Sequence, residues 1–274
     1  MDVSVIIINY NTFALTSACI KSVIDKTVGI EYEIILIDNN STETDPEQFL
    51  KLFPEIVLIR SPHNSGFSKG CNLGIQQSKG EYILLLNSDT VLINNAITIC
   101  LEFLKEDSSV AVVSSRLEYP DGNVQHNCQR FPSIKYGLFE LFRLQKFFPK
   151  RVRGKILFGY FFNCDAVAYP DWVWGTFFMF EREKLNRLPG GKLADNFFMY
   201  VEDMQWCMDF RLLGFSIALQ PKAKVVHYLG KSAVQKKGEM MLRNTSVFMK
   251  RYYNTIEIKL IKYIYRALTK EELF

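Results

Sequence analysis

Several things are scarce in this sequence, and each scarcity excludes something. No apolar run approaches the ~20 residues of a bilayer span, so no membrane-crossing helix is expected. The opening MDVSVIIINYN has neither the positive flank nor the small-residue cleavage site of a signal peptide, so no cleaved leader is expected. The six cysteines (Cys19, Cys71, Cys100, Cys128, Cys164 and Cys207) form no CxxC pair and no ladder. Several fall in apolar runs, where a thiol behaves as a small hydrophobe, so a reducing, cytoplasmic compartment is expected. There are only three histidines, and the net charge of +4 is too weak to argue for nucleic acid. What remains is an ordinary globular composition, 48% hydrophobic and 23% charged, on a chain long enough for a sizeable core.

The most informative stretch is residues 81–90, EYILLLNSDT. Ile83, Leu84, Leu85 and Leu86 read as a strand buried on both faces, and the run stops at Asn87, Ser88, Asp89 and Thr90. In open α/β sheets ligands bind beyond the carboxyl ends of strands, so Asp89 either caps the following helix or grips a metal or a sugar. Residues 3–8 and 33–37 are two more apolar strands, and each also ends in polar residues: Asn9, Tyr10 and Asn11, then Asp38, Asn39, Asn40 and Ser41. Each cluster alone is ordinary turn chemistry, whereas three at one sheet edge favour a polar ligand site.

Helices are expected over 16–26, 46–53, 67–77 and 96–105, with further strands at 56–59 and 110–114. This alternation indicates βαβ units and a mostly parallel sheet. Gly66, Gly70 and Gly74 recur every four residues. They match neither GxGxxG nor a Walker loop, so close packing of the 67–77 helix is the better reading than a phosphate cradle. Asn72 on that helix is a weaker ligand candidate. Residues 134–162 interleave aromatics with lysine and arginine, either as an insertion shaping acceptor specificity or as a helical hairpin over the core.

In the second half, DWVWGTFFMFE (171–181) is strand-like with Gly175 at a close approach. Glu202 and Asp203 open a helix whose inner face is expected to carry Met204, Cys207, Met208 and Leu212. The two carboxylates either stabilise its first turn or, desolvated by flanking aromatics, supply a base. His227 ends another apolar run, as a structural or a ligating histidine, with Lys224 and Lys231 nearby to suit a diphosphate. Residues 243–268 read as one basic amphipathic helix. Leu260, Ile261, Ile264 and Leu268 lie on one face and Lys259, Lys262 and Arg266 on another, for packing or for an anionic membrane.

Taken in order, VIIINYN, LIDNNST, HNSGFSKGCNLGI, EYILLLNSDT, DWVWGTFFMFERE, FFMYVEDMQWCMDFRLLGF and VVHYLGKS resemble the family 2 inverting glycosyltransferases of GT-A fold, particularly a rhamnosyltransferase-like branch. The resemblance implies an α/β GT-A domain in which residues 1–115 bind the nucleotide sugar and residues 116–232 hold acceptor and catalyst, followed by a helical tail at 233–274. It implies a UDP- or dTDP-sugar donor, rhamnose first, and a glycan or lipid-linked glycan acceptor, at the inner face of the cell membrane. Asn9, Tyr10, Asn11, Asp38 and Asn40 would contact the nucleotide. Asn87, Ser88 and Asp89 occupy the place of the family's DxD motif, with asparagine at its first acidic position. Asp89, with His227, would hold Mg2+ or Mn2+. Asp203 corresponds to the base, with Glu202 in reserve, and Trp174 and Gly175 would line the acceptor and sugar pocket. Two alternatives to set against this are a sugar-phosphate nucleotidyltransferase, which would open with a basic glycine-rich loop absent at Asn9–Thr12, and a binding scaffold without turnover.

Overall fold

A computed structural model describes residues 1–228 and 237–269. The first half alternates strand and helix: β1 (Val3–Asn9), α1 (Phe13–Lys26), β2 (Tyr32–Asp38), α2 (Glu47–Leu52), β3 (Val57–Arg60), α3 (Phe67–Gln77), β4 (Tyr82–Asn87), β5 (Thr90–Leu92), α4 (Ala96–Glu106) and β6 (Val110–Glu118). Then come β7 (Val124–Gln125), β8 (Cys128–Gln129), α5 (Ile134–Leu141), α6 (Lys150–Leu157), β9 (Trp172–Val173), β10 (Phe177–Glu181), α7 (Arg182–Asn186), α8 (Glu202–Leu212), β11 (Ser216–His227), α9 (Lys237–Tyr252) and α10 (Thr255–Thr269).

The main sheet runs β3-β2-β1-β4-β10-β6-β11-β5, with β7 on β6. Strands β3, β2, β1 and β4 are parallel, as the alternation predicts. The second half is mixed, because β10 enters antiparallel between β4 and β6 and β5 returns antiparallel on β11. Sequence alternation could not show this, since β10 is reached by a long connection rather than by a helical crossover.

The apolar runs are explained by burial on both faces. Ile6, Ile8, Ile35 and Ile37 join one core with Trp206, Phe210 and Phe248, while Val5, Ile7, Ile34 and Leu36 join another with Cys19, Ile20 and Leu101. Helix α3 lies tight on the sheet through its glycines. A Cβ at Gly74 would stand 2.5 Å from Ile6 Cγ2, and one at Gly70 would stand 3.3 Å from Ile8 Cδ1. The spacing of these glycines therefore reflects packing. The six thiols are free and buried.

Two helical expectations need correcting. Helix α8 buries Trp206 and Phe210 together with Met204 and Cys207, while Leu212 is exposed. The helix is covered on most of its surface, so no clean stripe marks its inner side. The tail is two helices rather than one. Asn254 caps α10: its Oδ1 accepts from the amides of Ile256 and Glu257, and its own amide donates to Glu257 Oε2, a capping box. Ile261 and Ile264 are buried, but Leu260 is exposed beside Ile256 and Tyr263. No helix among the described residues is long and apolar enough to cross a membrane. Lys231 and the end of the VVHYLGKS motif lie outside the described residues.

Candidate active site

Parallel pairing brings the strand tips together. Asn9 is in register with Asp38, and Ile8 with Asn87, so the three polar clusters share one rim. Antiparallel pairing of β5 with β11 adds a fourth tip by setting His227 opposite Thr90. The segment leading into β10 joins the same rim, where the Asn87 amide donates to the Thr176 carbonyl at 3.0 Å. Above the rim lies a cleft of about 430 Å³. Among the residues lining it are Tyr10, Asn87, Ser88, Asp89, Trp174, Gly175, Glu202, Asp203 and His227.

Other residues of the strand tips take part in holding the rim. The buried Asn9 donates through Nδ2 to Asp38 Oδ1 at 2.8 Å and to Ser41 Oγ at 2.9 Å, while its Oδ1 accepts from the hydroxyls of Thr12 and Thr16. The other oxygen of Asp38 accepts from the Ser41 amide at 3.0 Å. Asn11 and Asn40 take left-handed backbone, and the Asn11 side chain accepts from the amides of Thr42 and Glu43. Asn11 and Asn40 thus belong to the turns that follow β1 and β2. Asn72 is drawn away from the cleft: its Nδ2 donates to the Leu193 carbonyl at 2.8 Å and its Oδ1 accepts from the Leu193 amide. That exchange anchors the loop that precedes α8.

Asp89 is 2% exposed, and its Oδ1 accepts no hydrogen bond. His227 Nε2 stands 3.3 Å from that oxygen. On the other side of the ring Gln125 donates its Nε2 to the His227 carbonyl at 2.8 Å, which turns its Oε1 toward His227 Nδ1, also at 2.8 Å. Nδ1 therefore donates to Gln125, which leaves Nε2 turned toward Asp89. An imidazole nitrogen oriented by Gln125 beside an orphaned carboxylate oxygen is a pair of side chains that fits a divalent cation. No cluster of three or more His, Cys, Asp or Glu side chains suited to a metal exists among the described residues, so phosphate and water oxygens would complete the shell.

Across the cleft, Asp203 is half-buried. Its Oδ2 accepts from the Gly175 amide at 3.0 Å and its Oδ1 from the Met204 amide at 2.8 Å. Glu202 is 7% exposed, and its Oε2 has no hydrogen-bond partner. Burial pushes both carboxyls above the usual range. Glu202 rises further because the Asp203 charge adds to its burial, whereas the two amides hold Asp203 down. Asp203 is thus the member of the pair that ionises first, and it opens to the cleft.

The turn that presents this pair is strained. Tyr200 and Val201 have φ of +69° and +76°, unusual for any side chain and especially for a β-branched one. Asn244 of α9 clamps it, donating Nδ2 to the carbonyls of Met199 and Tyr200 at 2.9 and 3.0 Å. Gly66 (φ +86°) lets the Phe198 backbone lie against the start of α3, where the Phe67 amide donates to the Phe198 carbonyl at 2.8 Å. Sequence reasoning missed Gln125, Asn244 and the α9 residues lining the cleft, Lys237, Met241 and Thr245. The polar residues among them belong to no motif, and only tertiary structure brings them to the site.

A curled mixed sheet flanked by helices, with a cleft at the strand tips, is the architecture of the GT-A glycosyltransferases. Glycosyl transferase family 2 matches residues 4–169, more than half of the chain, and the chain belongs to that family. It is 36% identical over 115 residues to a poly(ribitol-phosphate) beta-glucosyltransferase of Bacillus spizizenii, a match covering 40% of this chain and 18% of that protein. It is 31% identical over 137 residues to a chondroitin synthase of Pasteurella multocida, covering 48% of this chain and 14% of the relative. The chain thus spans less than a fifth of the length of these curated relatives. A mannosyltransferase of Pyrobaculum calidifontis, solved with GDP-Man and Mn2+, superposes with a TM-score of 0.62 at 16% identity, over 97% of this chain and 68% of that one.

Proposed function

We propose that this chain is an inverting glycosyltransferase domain. It would move a sugar from a nucleoside-diphosphate donor to a glycan or lipid-linked glycan acceptor during surface polysaccharide synthesis, in the cytoplasm at the inner face of the membrane. The observation that carries this reading is the placement of Asp89, His227 and Asp203 around one cleft, with Asp203 raised by burial yet steered by two amides.

The chemistry follows from those positions. Asp203 takes the proton of an acceptor hydroxyl as that oxygen forms a bond to the anomeric carbon. The bond from that carbon to the diphosphate oxygen breaks, and the nucleoside diphosphate leaves with the electron pair. Attack from the face opposite the leaving group inverts the centre, so one carboxylate base suffices. A divalent metal, Mg2+ or Mn2+, held by Asp89 and His227 would supply Lewis-acid stabilisation of the diphosphate charge. Tyr10, 45% exposed just beyond β1, would meet the nucleotide, and Asn87 and Ser88, which line the cleft with Asp89, would face the diphosphate. Trp174 and Gly175 border the sugar and the acceptor, and holding both substrates in line supplies much of the remaining acceleration.

Rhamnose from a dTDP donor is the first candidate by motif resemblance, with UDP-sugars next. Incubating the protein with UDP-, GDP- and dTDP-sugars, Mn2+ and a glycan acceptor panel, and measuring nucleoside diphosphate release, tests the reading. Release with one donor class is expected. Thermal stabilisation by nucleoside diphosphates without release from any donor would point instead to a binding scaffold.

A further inference from the structure

The segment between α5 and β9 does not line the cleft, yet its surface combines exposed rings with cations. Phe142, Phe147 and Tyr160 are 66%, 83% and 90% exposed, and Leu144, Phe148 and Val152 are exposed with them. Among these side chains stand Arg143, Lys146, Lys150, Arg151, Arg153 and Lys155, and residues 141–164 contain no aspartate or glutamate at all. None of the six cations forms an ion pair among the described residues. Water-exposed aromatic rings of this size are disfavoured on a surface that stays in water. Uncompensated cations interleaved with them need a negative counterpart that also accepts rings.

The backbone beneath this surface is fixed. Arg130 donates from Nε to the Ile156 carbonyl at 2.8 Å and from its terminal nitrogen to the Lys155 carbonyl at 2.9 Å, which closes the end of α6. Its guanidinium lies over the rings of Phe158 and Tyr136. The Arg130 carbonyl in turn accepts from Trp172 Nε1 at 3.1 Å, and Trp172 lines the cleft. Phe139 of α5 packs against Phe148 in a tilted pair, 5.7 Å between ring centroids, tying the first part of the segment to the domain.

We propose that residues 142–160 are the surface by which this domain seats on an anionic lipid bilayer. Aromatic rings partition to the headgroup level and lysine and arginine to acidic headgroups, so this composition matches the charge and polarity of such an interface. Single-stranded nucleic acid also binds rings and cations together, but it needs free ring faces for its bases, whereas Phe148 and Tyr160 already pack against Phe139 and His126, and a net charge of +4 is weak for a nucleic-acid partner. Through Arg130 and Trp172 the seated surface adjoins one wall of the cleft. In the proposed glycosyl transfer this would bring a lipid-linked acceptor to the enzyme, although lipid binding itself does not depend on that reaction.

The test uses the full chain and sedimentation with phosphatidylcholine vesicles, with and without phosphatidylglycerol. Wild type should sediment with the phosphatidylglycerol vesicles only. Binding should weaken at least tenfold in Phe147→Ser/Tyr160→Ser, whose rings are too exposed to support folding, and in Lys146→Glu/Lys150→Glu/Arg151→Glu. Circular dichroism should stay unchanged in both. The proposal is overturned if both variants sediment as wild type does, or if wild type ignores phosphatidylglycerol. It is equally overturned if the variants instead abolish binding to a single-stranded oligonucleotide or to a second copy of the chain. No donor sugar is present in this assay, so its failure leaves the transferase reading standing, and absence of turnover would leave vesicle binding standing.

Discussion

His227 Nε2 and Asp89 Oδ1 face each other at 3.3 Å, and the carboxylate oxygen, though buried, accepts no hydrogen bond. The proposed function gives that pair a divalent metal as its partner. If that partner is a metal, removing either should weaken Mn2+ binding in the presence of a nucleoside diphosphate. His227→Ala should lower affinity by roughly 10–100-fold. Gln125→Leu, which frees the imidazole to turn, should lower it by about tenfold. Electron paramagnetic resonance of free Mn2+ reads both, and unchanged affinity in His227→Ala would remove the histidine from the metal shell.

The pH profile follows from the direction of the Asp203 shift. A base must be ionised, and burial raises this carboxyl to about 6. Below that pH the proton stays on and kcat/KM should fall about tenfold per unit, with a plateau above. A profile flat down to pH 4.5 would contradict the assignment.

Glu202 provides a test through stability. Its carboxyl rises from 4.5 in an ordinary setting to about 8 in the fold, so across that interval the unfolded chain is ionised while the folded one keeps its proton. Stability conferred by the protonated side chain is complete below about 4.5 and is lost as pH rises toward 8. Glu202→Gln, which cannot ionise, should therefore be more stable than wild type at pH 8, by roughly 1–3 kcal/mol, with the gain vanishing near pH 4. Urea unfolding at the two pH values measures it.

The strained turn before α8 is held from the far end of the chain. Asn244→Ala removes two hydrogen bonds to the carbonyls of Met199 and Tyr200, one on a residue of left-handed backbone. A loss of about 1–2 kcal/mol is expected. Turnover should fall by about tenfold with little change in donor affinity, because Asp203 loses its fixed aim while the strand tips stay intact. Isothermal titration with nucleoside diphosphate, beside steady-state rates, separates the two effects.

How much of this was legible in the sequence depended on which physical constraint each residue obeys. Strands buried on both faces must be apolar throughout, so β1, β2 and β4 stood out, and their abrupt polar ends located the rim. Helix α3 was read correctly because close packing on Ile6 and Ile8 demands glycines at four-residue spacing. Helix α8 hid its inner face because nearly every side carries buried residues. The break at Asn254 was written as Asn-x-x-Glu but is easily lost inside a run of good helix formers. Asn9, Asp38 and Asn72 all make internal hydrogen bonds, and sequence alone does not show which polar residues hold a turn. Gln125 and Asn244 act only through tertiary contact, and no local pattern announces them.

The account rests most heavily on Asp203, and Asp203→Asn tests it most directly. The amide matches the carboxylate in size and keeps an oxygen for the Gly175 amide, but it cannot take a proton. With a responsive donor sugar and acceptor, the variant should bind nucleoside diphosphate as wild type does while glycosyl transfer drops by about 10²–10⁴-fold. Transfer within a factor of a few of wild type would mean that another group accepts the proton, and the chemistry assigned to this cleft would be wrong.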